Sequence, residues 1–164
     1  MSALRIALAP YIFYLLWTHQ FRSALVWFAV AGLSDGVDGW LARRYGAASR
    51  LGALLDPVAD KVLLSGSFLV LALRFVVPFS LTFMVLGRDV LILVFALRAL
   101  ATKTRREFPP SIWGKLSTAV QIAYVLAVVG FQAGYGYGPV VVLLGWVTFG
   151  LTAYSGIDYA RRVS

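Results

Sequence analysis

The chain has 164 residues and no cysteine; 60 % of it is hydrophobic, only 13 % is charged, and the mean hydropathy is +0.82. Soluble domains hold about 45–50 % apolar and about 25 % charged residues, so this composition excludes an ordinary soluble domain, and it also excludes thiolate metal sites and disulfides. The net charge of +8 is that of a positive-inside membrane protein among anionic lipids, not of a nucleic-acid binder.

Six apolar runs follow one another at 3–19, 22–42, 53–74, 78–101, 115–134 and 139–160. Each is near the ~20 residues that a helix needs to cross a ~30 Å hydrocarbon core. They predict an all-α integral membrane protein of six transmembrane helices, forming a single domain over 1–164 with no internal repeat. No small-residue cleavage pattern follows the first run, so it reads as a retained helix rather than a signal peptide. Histidine occurs once, as His19 in an outer turn, which rules out a His-rich metal site, and it is given no role.

Charges between the runs set an orientation. With the N-terminus in the cytoplasm, that side carries Arg5, Arg43, Arg44, Arg50, Lys103, Arg105, Arg106, Arg161 and Arg162, with Lys115 close by. The other side keeps Arg22 and Arg74. This asymmetry puts the 43–52 and 102–114 connections on the cytoplasmic face.

Four of the seven acidic residues lie within residues 34–61, between the second and third runs. Asp35 and Asp38 are i and i+3 near the end of the second helix, and Asp56 and Asp60 are i and i+4 near the start of the third, so each pair shares a helix face. Pro57 is tolerated where a first-turn N–H has no intrahelical partner. A short connection predicts antiparallel packing of these two helices, with their acidic faces converging at the cytoplasmic end. Carboxylates gathered there repel one another unless protons or cations relieve them. An oxygen-only donor set favours a hard ion, Mg²⁺ or Mn²⁺ over Zn²⁺, and could hold one ion or two. Gly36, Gly39, Ala42, Gly46, Ala47, Ala48, Gly52 and Ala53 flank the acids, suiting both close helix packing and a cavity floor for a ligand.

The pattern Asp35-x2-Asp38-Gly39-x2-Ala42-Arg43-x8-Gly52-x3-Asp56-x3-Asp60 resembles the signature of the CDP-alcohol phosphotransferase (phosphatidyltransferase) family at every fixed position and gap. The resemblance implies a six-helix membrane enzyme, a homodimer of a multi-pass protein in a bacterial inner or cell membrane. It displaces CMP from a CDP-linked lipid such as CDP-diacylglycerol with an alcohol acceptor, at the cytoplasmic side. It further implies two divalent ions held by Asp35, Asp38 and Asp56 with Asp60 at the edge. Asp60 is the implied general base, and Gly39, Ala42, Arg43 and Gly52 the implied lining of the CDP pocket.

Two further elements bear on the acceptor. Arg88 and Asp89 stand within the fourth apolar run, where charges mark either a cavity or an internal ion pair. In the fifth, Lys115, Thr118 and Gln121 are read as lying broadly on one side, with Arg98, Arg105 and Arg106 nearby. Arg88, Lys115, Arg98 and Thr118 are the expected acceptor-binding residues. These elements are similar to those of phosphatidylglycerophosphate synthases, with Ser117 standing where a second lysine is usual, and also to those of eukaryotic-type cardiolipin synthases. Glycerol 3-phosphate is therefore the first expected acceptor and phosphatidylglycerol the second. A divalent-cation transporter would also gather membrane carboxylates. It leaves the eight-position pattern unexplained, and its site would lie nearer mid-membrane. A non-catalytic partner subunit would have no need of all four aspartates.

Overall fold

Over residues 2–45, 50–101 and 112–163 the backbone of the computed structural model is described here, and the side chains over 6–34, 61–94, 112–158 and 161. The described residues form α1 (Ser2–Trp17), α2 (Phe21–Tyr45), α3 (Arg50–Leu73), α4 (Phe79–Ala101), α5 (Ile112–Gln132) and α6 (Gly138–Val163). Each coincides with one expected apolar run. Pro10 stands inside α1, which a membrane helix tolerates when neighbouring helices reabsorb the freed carbonyl.

Three turns share one design. At the end of α1, His19 N–H donates to Leu16 O and Gln20 N–H to Leu15 O. Phe75 and Val76 repeat this at the end of α3 by donating to Ala72 O and Leu71 O, and Gly134 and Tyr135 repeat it at the end of α5 with Phe131 O and Gly130 O. These are Schellman closures, which need a left-handed residue at the turn. Gly134 adopts that conformation freely at φ 87°, while His19 and Phe75 hold φ 59° and 58° at a cost of about 1 kcal/mol each for a residue with a Cβ. The turns are tied to one another. Arg74 bonds His19 Nε2 and lies over the Trp17 ring, and Arg22 Nε donates to Ala133 O while its guanidinium covers Tyr135. All three turns therefore sit at one end of the bundle, and the helix ends at Tyr45, Arg50, Ala101 and Ile112 lie at the other.

At the centre, α3 packs against α1, α4 and α5. Ile12, Leu15, Leu16, Phe68, Leu71, Val85, Val125 and Val129 form the buried core, with Phe68 stacked on Tyr124 at 6.0 Å between ring centroids. Gly66 lies under the Phe13 ring, where a Cβ would collide, so a glycine here sets how near α1 and α3 come. Among the described residues α2 and α3 do not pack directly on each other; α1 packs against both, and so does α5. The expected convergence of the α2 and α3 acidic ends falls on residues 35–60, whose side chains lie outside the described residues. A short connection fixes how close two helix ends are, but not which neighbour fills the groove between them.

Large apolar side chains cover the outside, among them Phe83 at 71 % and Trp146 at 70 % exposure. Water-facing surfaces rarely carry so much apolar area, whereas lipid accepts it. Two of the described segments, Ile112–Gln132 and Gly138–Asp158, are long and apolar enough to cross a bilayer. Ile6–Trp17, Phe21–Ser34 and Lys61–Leu73 are shorter apolar stretches.

Candidate active site

Helical backbone runs through all four aspartates: α2 carries Asp35, Asp38, Gly39, Ala42 and Arg43, and α3 carries Gly52, Asp56 and Asp60. The i, i+3 and i, i+4 spacings therefore do put each acidic pair on one helix face. A rise of ~1.5 Å per residue puts Asp35 and Asp60 on one level, each roughly 20 Å from the turn end of the bundle. The side chains of residues 35–60, and that of Arg98, lie outside the described residues. Among the described residues no group of three or more His, Cys, Asp or Glu could hold a metal.

Beside that level lies an apolar cavity of about 720 Å³, walled by α2 (Leu25, Phe28, Ala31, Gly32, Leu33), α3 (Leu63, Leu64) and α5 (Thr118, Ile122, Val125). Among the described residues its α2 wall reaches Leu33 and its α3 wall reaches Leu63, so the described part of the cavity lies on the turn side of the aspartate level. Thr118 is the polar residue in its lining, and its hydroxyl already donates to Gly114 O at 3.1 Å.

Behind the cavity, a polar seam joins α3, α4, α5 and α6. Arg88 is 5 % exposed, and its guanidinium donates to Asp89 Oδ1 at 2.8 Å, to Gly114 O at 3.1 Å and to Ser155 Oγ at 3.2 Å. Asp89, 8 % exposed, also takes the Lys61 ammonium on Oδ1 and the Ser65 hydroxyl on Oδ2 at 3.1 Å. Further along, Gln121 Nε2 donates to Thr152 Oγ1 at 3.0 Å and to Ser117 Oγ at 3.3 Å. Among the described residues Gln121 Oε1 and Thr148 Oγ1 are buried with no hydrogen-bond partner.

The expected acceptor residues fall in different settings. Arg88 is committed to three partners inside the bundle, Lys115 is exposed, and Thr118 is half-buried at the cavity wall. Lys115, Thr118 and Gln121 spread over a broad arc that runs from exposed through half-buried to buried. Six helical residues turn through about 600°, which leaves the first and last ~120° apart. The stripe that does share a face is Gly114, Ser117 and Gln121, all buried. Sequence reasoning passed over Lys61, Ser65, Thr152 and Ser155. The available signals were a lysine directly after Asp60 and the i, i+4, i+7 spacing of Thr148, Thr152 and Ser155.

An all-helical membrane protein with two pairs of aspartates on two helices, beside an apolar cavity, is the class these observations define. Residues 1–154 match the family model described as CDP-alcohol phosphatidyltransferase, and the chain belongs to that family. It is 34 % identical to the cardiolipin synthase (CMP-forming) of Rattus norvegicus, an alignment covering 99 % of this chain and 60 % of that protein. It is 33 % identical to a probable phosphatidylglycerophosphate synthase of Mycobacterium tuberculosis, over 99 % of this chain and 78 % of that one. With the CDP-diacylglycerol–glycerol-3-phosphate 3-phosphatidyltransferase of Aquifex aeolicus it shares 31 % identity, over 99 % and 92 %. The chain therefore spans about 60 % of the length of the rat relative and nearly all of the Aquifex one.

Proposed function

We propose that this protein transfers a phosphatidyl group from CDP-diacylglycerol to an alcohol, releasing CMP, in phospholipid synthesis. The observation that carries the reading is the family match over 1–154, on a chain that keeps all four signature aspartates on α2 and α3. In this reading all six helices span the membrane, the aspartates face the cytoplasmic side of a bacterial cell membrane, and the enzyme works as a homodimer.

Four aspartates within two turns of one another along α2 and α3, with no His or Cys in the pattern, suit a hard divalent cation such as Mg²⁺ or Mn²⁺. Asp35, Asp38, Asp56 and Asp60 would hold one ion or two, and the bound metal would offset the diphosphate charge and that of the departing CMP. Asp60 takes the proton from the acceptor hydroxyl as its oxygen forms a bond to the lipid-side phosphorus. The phosphorus–oxygen bond to the nucleotide breaks in the same displacement, and CMP leaves with that electron pair. Gly39, Ala42, Arg43 and Gly52 line the nucleotide pocket. The α2–α3–α5 cavity supports a lipid donor, because it offers an apolar volume on the turn side of the aspartate level.

Glycerol 3-phosphate is the proposed acceptor. Among the described residues Lys61 and Arg88 share the single carboxylate of Asp89, and this positive excess, with Lys115, Arg98 and the Thr118 hydroxyl, favours an anionic alcohol. Phosphatidylglycerol is the second reading, favoured by the likeness to the rat cardiolipin synthase. A cation transporter is disfavoured by the family match.

The test is CMP release by the purified protein given CDP-diacylglycerol, Mg²⁺ or Mn²⁺ and a panel of alcohols. Release with glycerol 3-phosphate alone supports the first reading, and release with phosphatidylglycerol alone supports the second. Metal-driven ion flux in liposomes without CMP release from any acceptor contradicts both.

A further inference from the structure

The seam raises a question that the proposed reaction leaves open: why an ionic cluster is buried next to the aspartate-bearing part of α3. Asp89 grips that helix at two points. Lys61 reaches Oδ1 and Ser65 reaches Oδ2, and these residues are one turn apart, so a single carboxylate fixes both the height and the rotation of the turn. Asp60 directly precedes Lys61, and Asp56 is one turn further back on the same rigid helix. On its other side Asp89 is held by Arg88 Nη1 at 2.8 Å, and Arg88 is in turn anchored to Gly114 O on α5 and Ser155 Oγ on α6. The chain of contacts runs from α5 and α6 through α4 to α3 without a break.

Apolar residues of similar volume hold a bundle together as well as a buried ion pair does, so cohesion alone does not account for the cluster. Its directional contacts do something that apolar packing does less well: they select one rotational setting. A side-chain tip ~5 Å from a helix axis moves about 1 Å for a 10° rotation. Metal–ligand distances tolerate only about ±0.2 Å. A small twist of α3 would therefore misplace Asp56 and Asp60 together.

We infer that Asp89 is a positioning residue, setting the rotation of α3 through Lys61 and Ser65 so that Asp56 and Asp60 meet the metal and the attacking hydroxyl. The inference rests on the proposed phosphatidyl transfer, and it adds a control point on α4, outside the aspartate pattern.

The experiment uses the full chain in nanodiscs, as Asp89→Asn, Lys61→Met, the double variant, and Ser65→Ala. Mn²⁺ affinity is read by electron paramagnetic resonance, and kcat and KM for CDP-diacylglycerol by CMP release. Loss of a contact that orients metal ligands typically costs roughly 10–100-fold in metal affinity or activity. Asp89→Asn and Lys61→Met are therefore each expected to weaken Mn²⁺ binding at least ~10-fold and to lower kcat, while KM for the donor moves less than ~3-fold. The double variant is expected to be no worse than the poorer single one, because both break one linkage. Ser65→Ala keeps every charge in place, so it carries the test if Asp89→Asn fails to fold; its expected loss of Mn²⁺ affinity is about 3-fold. Folded variants with wild-type Mn²⁺ affinity, or singles whose effects add in the double, overturn the inference. Wild-type protein that binds Mn²⁺ yet releases no CMP overturns the proposed reaction instead, and the Mn²⁺ measurements still decide the role of Asp89.

Discussion

On one face of α5, Gly114, Ser117 and Gln121 meet Arg88 and Thr152 through hydrogen bonds. On another, Thr118, Ile122 and Val125 border a cavity of about 720 Å³. The seam face is specified atom by atom, because a buried polar group left without a partner costs about 1–3 kcal/mol. The cavity face is specified only in volume and apolarity, as suits a flexible hydrocarbon chain. One helix thus separates a part of the molecule that must keep its geometry from a part that can adapt.

Four substitutions sharpen or break that comparison. The largest effect belongs to Asp60, which directly precedes Lys61 on α3. Asp60→Asn should lower CMP release by roughly 10²–10⁴-fold, the usual contribution of a general base, while CDP-lipid binding largely survives; near-normal turnover would remove Asp60 from that role. Next is Arg88→Met, which takes a cation out of the seam. Breaking a buried ionic contact costs about 3–5 kcal/mol, so the thermal unfolding midpoint in detergent should fall by ~10 °C. An unchanged midpoint would mean that the seam does not hold the bundle.

Gly32→Leu probes the cavity. A Cβ built at Gly32 meets nothing within 4 Å, so the added side chain can enter the cavity without displacing backbone. Its effect should be selective: kcat/KM for long-chain CDP-diacylglycerol falls about 10-fold, within the range for altered apolar pockets, while a short-chain donor is spared. Equal loss with both donors would separate the cavity from acyl-chain binding. The smallest effect is expected for Gln121→Leu. That change removes the unpaired Oε1 and leaves Ser117 and Thr152 paired with each other at 3.3 Å, so stability should shift by no more than ~1 kcal/mol in either direction.

Much of this organisation was legible in the sequence. Apolar runs located all six helices, because burial and lipid both demand long uninterrupted stretches. The ends moved by a few residues where polar helix formers carry the backbone past the apolar run: α2 continues through Arg43 and Arg44 to Tyr45, and α3 starts at Arg50. Gly134 announced its turn, whereas His19 and Phe75 adopt the same left-handed conformation without a glycine to signal it. The aspartate pattern was legible because its spacing repeats a family signature. The seam was not. Ser65, Ser117, Thr152 and Ser155 look like small packing residues in an apolar run, and only the fold brings them to Arg88, Asp89 and Gln121. Arg88 and Asp89 were visible as a pair, but Lys61, 28 positions earlier, was not visible as their third member.

The central claim is phosphatidyl transfer at the aspartates of α2 and α3, and its most direct measurement is product stoichiometry. Purified wild-type protein and Asp60→Asn would each receive CDP-diacylglycerol, Mg²⁺ and glycerol 3-phosphate, with CMP and the lipid product quantified by mass spectrometry. The account predicts equal amounts of CMP and phosphatidylglycerophosphate from the wild type and almost none of either from the variant. CMP without a matching phospholipid, or equal yields from the two proteins, would contradict it.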